Sequence, residues 1–86
     1  MQYIYRTKGT CSQQITFEMD QNKVVSNVKF TGGCNGNLKA VSRLVEGCTA
    51  DQIIEKCAGI TCGPRETSCA DQLAKAVVQA VQESKI

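Results

Sequence analysis

Six cysteines and no histidine among 86 residues concentrate the reactive chemistry of this chain on sulfur. The stretch Thr67-Ser68-Cys69-Ala70-Asp71-Gln72-Leu73 is the most informative. Ser68-x-x-Asp71 has the form of a helix-capping signal, which puts Cys69 at the N-cap or first position of a helix. Unpaired backbone N–H groups and the helix dipole favour a thiolate there. Cys34 precedes a second expected helix, with Gly33 and Gly36 on either side. Those glycines let backbone N–H groups turn toward an anion, although they serve equally well as a plain strand-to-helix turn. Cys62 lies in a turn-rich loop seven residues before Cys69, close enough to fold back beside it.

Taken together, Cys11, Cys34, Cys62 and Cys69 form a candidate all-thiolate tetrahedral site. Four sulfurs suit zinc at about 2.3 Å per bond, or an iron–sulfur cluster. Charge is compatible, because four thiolates and one zinc cancel the formal +2 of the chain. No C-x-x-C pair is present, so spacing alone matches neither a zinc ribbon nor a dithiol redox motif. Each cysteine also has a plainer reading as a small buried hydrophobe. That reading is preferred for Cys57, which shares an apolar face with Ile53, and Cys48 reads as a half-buried loop thiol after Gly47. Asp71 reads as a capping or dipole partner, since no second carboxylate or histidine is placed to work with it as an acid–base pair. Lys39, Arg43, Lys56 and Lys75 read as solvated helix faces.

Composition narrows the alternatives. The chain is expected to form one domain spanning residues 1–86, small enough that burial alone leaves little stability margin and a staple would help. A net charge of +2 with scattered basic residues gives no electrostatic case for nucleic acid. No apolar run reaches membrane-spanning length. Met1-Gln2-Tyr3-Ile4-Tyr5-Arg6 enters strand-like alternation without a basic or apolar leader. The cytoplasm is therefore the expected compartment, where thiols stay reduced and cysteine clusters bind metal or do chemistry. A disulfide scaffold would require export, and an activated-thiol carrier would rest on Cys34 or Cys69.

The elements that must position these thiols are legible. Tyr3–Arg6 reads as a short strand broken by Lys8-Gly9. Ile15, Phe17 and Met19 alternate with polar residues in a second strand, Asp20–Lys23 is a turn, and Val24, Val28 and Phe30 mark a third strand. The last two strands form an antiparallel hairpin with Cys11 and Cys34 at the end away from the turn. For Ile15 and Phe17 to share a face with Val28 and Phe30, odd positions must oppose even ones, which puts Cys11 and Cys34 on the same core-facing side. Leu38, Val41, Leu44 and Val45 outline a helix that Gly47 ends. Thr49-Ala50-Asp51-Gln52 matches a capping box for a short helix burying Ile53, Ile54 and Cys57. Leu73, Ala76, Val77, Ala80 and Val81 give the last helix, to about Glu83, a continuous apolar stripe. The expected fold is α+β, a three-stranded antiparallel sheet with about three helices on one face.

At Thr67–Leu73 the chain resembles the TSCPD domain family, in particular its short stand-alone members. Lys8-Gly9-Thr10-Cys11, Gly32-Gly33-Cys34-Asn35-Gly36-Asn37, Gly59-Ile60-Thr61-Cys62-Gly63 and Asp71-Gln72-Leu73-Ala74 carry the same resemblance. Ala70 stands where the family name has proline; either residue is compatible with a first helical turn. The resemblance implies a cysteine-rich metal-binding domain of the kind also found at the C-terminus of cobalamin-dependent ribonucleotide reductases. It makes such a reductase a candidate partner, with a thiol redox or regulatory role in deoxyribonucleotide synthesis. The chain is too short to be the reductase and is not expected to be an enzyme alone. The layout is also similar to IscU/NifU-like iron–sulfur scaffolds, with Cys11, Cys34 and Cys69 matching their three cluster cysteines. That similarity implies that the mouth of the last helix meets the open end of the hairpin. Gln13 and Ser68 stand where those scaffolds have an aspartate and a histidine; an iron–sulfur cluster scaffold or carrier is the alternative function that this similarity implies.

Overall fold

The hairpin at the centre of the fold is set by its turn. In a computed structural model, which describes residues 2–9, 12–33, 35–61, 64 and 67–84, strand β2 (Ser12–Met19) and strand β3 (Val25–Gly32) pair antiparallel. Asp20 organises the connection: its Oδ1 accepts the N–H groups of Asn22 at 2.9 Å and Val24 at 3.0 Å, and its carbonyl accepts that of Lys23 at 3.0 Å. This is a tight turn closed by one residue in the left-handed region, and the residue there is Lys23, at φ 63°. A lysine is strained in that region by about 1–2 kcal/mol. Lys23→Gly should therefore raise the urea midpoint, with a gain of about 0.5–1 kcal/mol after the added freedom of the unfolded chain is subtracted. An unchanged or lowered midpoint would show that the turn carries no such strain.

Strand β1 (Gln2–Arg6) joins the other side of β2, giving the sheet order β1-β2-β3. Tyr3 stacks on Phe17 at 5.5 Å between ring centroids. On β2, Ile15, Phe17 and Met19 are buried. Gln14, Thr16 and Glu18 are half-buried or exposed on the other face, so the sheet buries one side.

Two slips in the β2–β3 register correct the expected alternation. Ile15 does oppose Phe30, the odd-to-even pairing read from the sequence. Between Thr16 and Glu18 the register shifts, at the point where Asn27 takes φ 53°. Val25 rather than Val24 is consequently fully buried. A second shift between Ser12 and Gln14 turns Ser12, only 4% exposed, toward the interior in place of Gln13. A bulge adds one residue to one strand and reverses side-chain parity beyond it. The parity argument therefore stops short of the end where Cys11 and Cys34 were expected to meet, and both residues lie outside the described ones.

Helix α1 (Asn35–Val45) packs against β3 through Leu38 and Val45, with Val41 half-buried. Leu44, expected on that face, is 77% exposed, because it lies well round the helix from the Leu38–Val45 line. Residues 47–50 return along the turn end of β3. Val25 and Cys48 share a 2.8 Å bond, and the Lys23 carbonyl accepts from the Ala50 N–H at 2.8 Å. The capping box opens helix α2 (Ala50–Cys57) as expected: Thr49 Oγ1 accepts from the Gln52 N–H at 3.3 Å and Gln52 Oε1 from the Thr49 N–H at 2.9 Å. Helix α3 (Cys69–Ser84) packs on α2 and touches β1 and β2. Its stripe of Leu73, Ala76, Val77 and Ala80 is buried, joined by Ala74. Three antiparallel strands followed by three helices make this an α+β fold. Among the described residues no helix is long and apolar enough to cross a membrane.

Candidate functional site at the start of helix α3

Helix α3 begins inside a cluster of buried polar side chains. Thr67, Ser68, Asp71 and Gln72 are each at most 8% exposed, an unusual density of polar groups for an interior. They are buried because each is spoken for. Ser68 is the N-cap: its Oγ accepts the Asp71 N–H at 3.1 Å and donates to the Ile60 carbonyl at 2.6 Å. Asp71 Oδ1 accepts the Gly59 N–H at 2.7 Å, while Oδ2 takes the Thr67 hydroxyl and lies 3.4 Å from Lys75 Nζ. Gln72 Oε1 accepts the Lys8 N–H at 3.1 Å, and its Nε2 donates to Thr67 Oγ1 at 3.1 Å. The Thr67 hydroxyl thus donates to one side chain and accepts from another.

These bonds hold the β1–β2 loop and the α2–α3 loop against the first turn of α3. Gly9 shows how close the approach is. It sits at φ 75°, and a Cβ there would come within 3.1 Å of Thr67 Cγ2, so this position demands glycine on two counts. The Thr67 hydroxyl and the Gly59 N–H, with a contribution from Lys75, hold the Asp71 carboxyl below its ordinary pKa. Asp71 is therefore an ionised anchor for both ends of the α2–α3 loop, a fuller role than the expected cap, while Gln72 holds the β1–β2 loop.

Cys69 occupies the first helical position, half-buried, with its Sγ 3.1 Å from Ser12 Oγ. Ser12 is held from both sides: its carbonyl accepts from Thr7 Oγ1 in the β1–β2 loop at 2.5 Å, and it stands opposite Gly32 at the end of β3. The open end of the hairpin and the start of α3 therefore touch, as the scaffold resemblance implied. The other three expected ligands, Cys11, Cys34 and Cys62, lie outside the described residues. Among the described residues, no three of His, Cys, Asp and Glu come together as a metal-holding group.

The remaining cysteines stand apart from this junction in character. Cys57 is buried at the end of α2, and burial raises its thiol pKa, with a smaller contribution from a charge on Cys48. Cys48 is half-buried ahead of α2. Both are free thiols. The plain reading of Cys57 as core is correct.

Ser12 carries no signal in the sequence that separates it from an ordinary strand or loop residue. Thr67 and Gln72 are marked only as members of the Thr67–Leu73 stretch and of the resemblance it carries, although a glutamine beside an apolar stripe at a helix start is a candidate for a buried loop anchor.

A small α+β domain with its cysteine-bearing loops tied to one helix N-terminus is the class these features define. The chain belongs to the TSCPD domain family, whose model matches residues 3–81. No curated protein and no solved structure matches it.

Proposed function

We propose that this domain is a metal-binding module in which Cys11, Cys34, Cys62 and Cys69 hold zinc or an iron–sulfur centre. The observation that carries this reading is the 3.1 Å approach of Ser12 Oγ to Cys69 Sγ. Cys11 is the residue before Ser12, Cys34 is two residues beyond Gly32, which opposes Ser12, and Cys62 is two residues beyond Ile60, whose carbonyl Ser68 grips. Cys11 and Cys62 are thus within two residues of a contact at the start of α3, Cys34 is within two residues of the strand partner of Ser12, and successive Cα atoms are only about 3.8 Å apart.

The donor set fits the group. A hydroxyl beside Cys69 Sγ can donate to a thiolate, as outer hydrogen bonds to metal-bound sulfur do. Thiolate-only coordination favours zinc or iron–sulfur over hard cations. When bound, the metal would supply cross-linking of three loops. A closed four-thiolate site suits a structural or electron-carrying role better than release of cargo, and a ribonucleotide reductase is the partner we propose for it, on the strength of family membership.

Metal and acid-labile sulfide in protein purified without added metal test the reading. Zinc near one equivalent without sulfide, or iron with matching sulfide, is the expected result. Cys11→Ser and Cys69→Ser should each lose most of it while Cys57→Ala retains it. A folded wild-type protein carrying neither metal, or Cys→Ser variants that keep full occupancy, would overturn the assignment.

A further inference from the structure

Three cations separated in sequence surround one groove. Lys29 on β3 and Lys39 and Arg43 on α1 are exposed around a cleft of about 400 Å³ with Val28, Phe30 and Leu38 among its lining. Among the described residues none that lines it is acidic, and no carboxylate pairs with any of the three. Lys39 and Arg43 are one helical turn apart and project from the same side of α1. The sequence scatters these charges, and the packing of α1 on β3 gathers them.

The groove also runs beside an unpaired sheet edge. β3 is the last strand of the sheet, and its outer side is met at the turn end by the Val24–Thr49 bridge. Among the described residues no strand pairs with that side over residues 28–32. Edge strands with free N–H and C=O groups accept an added strand from another chain. Lysine on such an edge repels further copies of the same basic strand, and it leaves an acidic strand welcome.

We propose that the β3–α1 groove is a docking site for an extended acidic segment of a partner protein. Its backbone would add to the β3 edge, apolar side chains would enter over Phe30 and Leu38, and carboxylates would meet Lys29, Lys39 and Arg43. Charge complementarity selects the acidic partner, and the apolar floor with its backbone edge selects a polypeptide over a nucleic acid. Gly32, which lines the groove, stands opposite Ser12, whose Oγ meets Cys69 Sγ, so a docked partner would lie one strand away from the Ser12–Cys69 contact. The inference does not depend on the metal reading.

Fluorescence anisotropy with a labelled ten-residue peptide alternating Glu with Val or Leu tests it, using the protein as purified. Saturable binding is expected, weakened at least fivefold between 50 and 300 mM salt because exposed charges are screened. A Lys39→Glu/Arg43→Glu variant should bind at least tenfold more weakly, and Lys29→Glu, on a different element, should also weaken it. Ile4→Ser, on the exposed β1, should leave it unchanged. Circular dichroism on each variant separates lost binding from lost fold. No saturable binding of the acidic peptide, equal binding of a Lys-for-Glu peptide, undiminished binding by the folded charge-reversed variants, or tighter binding of a single-stranded oligonucleotide would each overturn the proposal. Metal content measured on the same samples keeps this outcome distinct from that of the metal assignment.

Discussion

Asp71→Ala should lower stability by about 3 kcal/mol, the loss expected when one ionised side chain serving several buried partners is removed. The carboxylate receives the Gly59 N–H and the Thr67 hydroxyl at once, and alanine leaves both without their acceptor. For a domain of this length that corresponds to a fall in Tm on the order of 12–24 °C. Asp71→Asn keeps one acceptor oxygen for Gly59 and loses the charge, so about half the cost is expected. Lys75→Ala should cost less than about 0.5 kcal/mol, because Lys75 is 56% exposed and such ion pairs contribute little.

The pH dependence separates charge from shape. The Asp71 pKa is lower folded than unfolded, so its ionisation stabilises the protein fully above the unfolded carboxyl value of about 3.9. That contribution is lost as pH falls through the lower, folded value. The stability gap between wild type and Asp71→Asn should thus be constant from pH 5 to 7 and close progressively below about pH 4. Urea titrations at several pH values would show this. A gap of the same size at pH 2.5 and pH 6 would mean that the carboxylate charge contributes nothing to the anchor.

Metal removal is expected to have the other large effect. If Cys11, Cys34, Cys62 and Cys69 hold zinc, binding free energy is folding free energy, on the order of 10 kcal/mol or more at neutral pH in small zinc domains. Even weak occupancy, with free metal at a hundred times its Kd, adds about 2.7 kcal/mol. Treatment with a strong chelator should lower Tm by on the order of 10–20 °C or more, and one equivalent of zinc should restore it. Cys69→Ser should start at the chelated value and fail to respond. An identical Tm with and without chelator, in protein shown to carry metal beforehand, would leave the metal bound but structurally idle.

The local part of this structure was legible because local rules wrote it. The Thr49–Gln52 capping box, the Ser68 N-cap, the Asp20–Lys23 turn and the apolar stripe of α3 depend on neighbours within one turn of chain, and intrinsic preference agrees with the fold at each except Lys23, which takes a left-handed conformation. Element order and the α+β class followed from the same periodicities. The reading failed where a partner strand or helix decides. Val24 and Val25 are equally apolar in sequence, and only the slip at Asn27 chose Val25 for the core. Leu44 belongs to an apolar run, but α1 meets β3 along its Leu38–Val45 line, which leaves Leu44, well round the helix, in solvent.

What the sequence by itself determined about the candidate site was its chemistry and one of its walls: thiols without histidine, and Cys69 at the mouth of a capped helix. Which groups meet at that mouth was settled only by the tertiary structure. Ser12 reaches Cys69 across 57 positions and Lys8 reaches Gln72 across 64, distances over which no residue periodicity carries information. Those contacts follow from a bulge that turned Ser12 inward and from a buried Gln72 that holds the β1–β2 loop against the first turn of α3. Both are consequences of satisfying buried polar groups after the elements pack, and that can be assessed only once the packing is known.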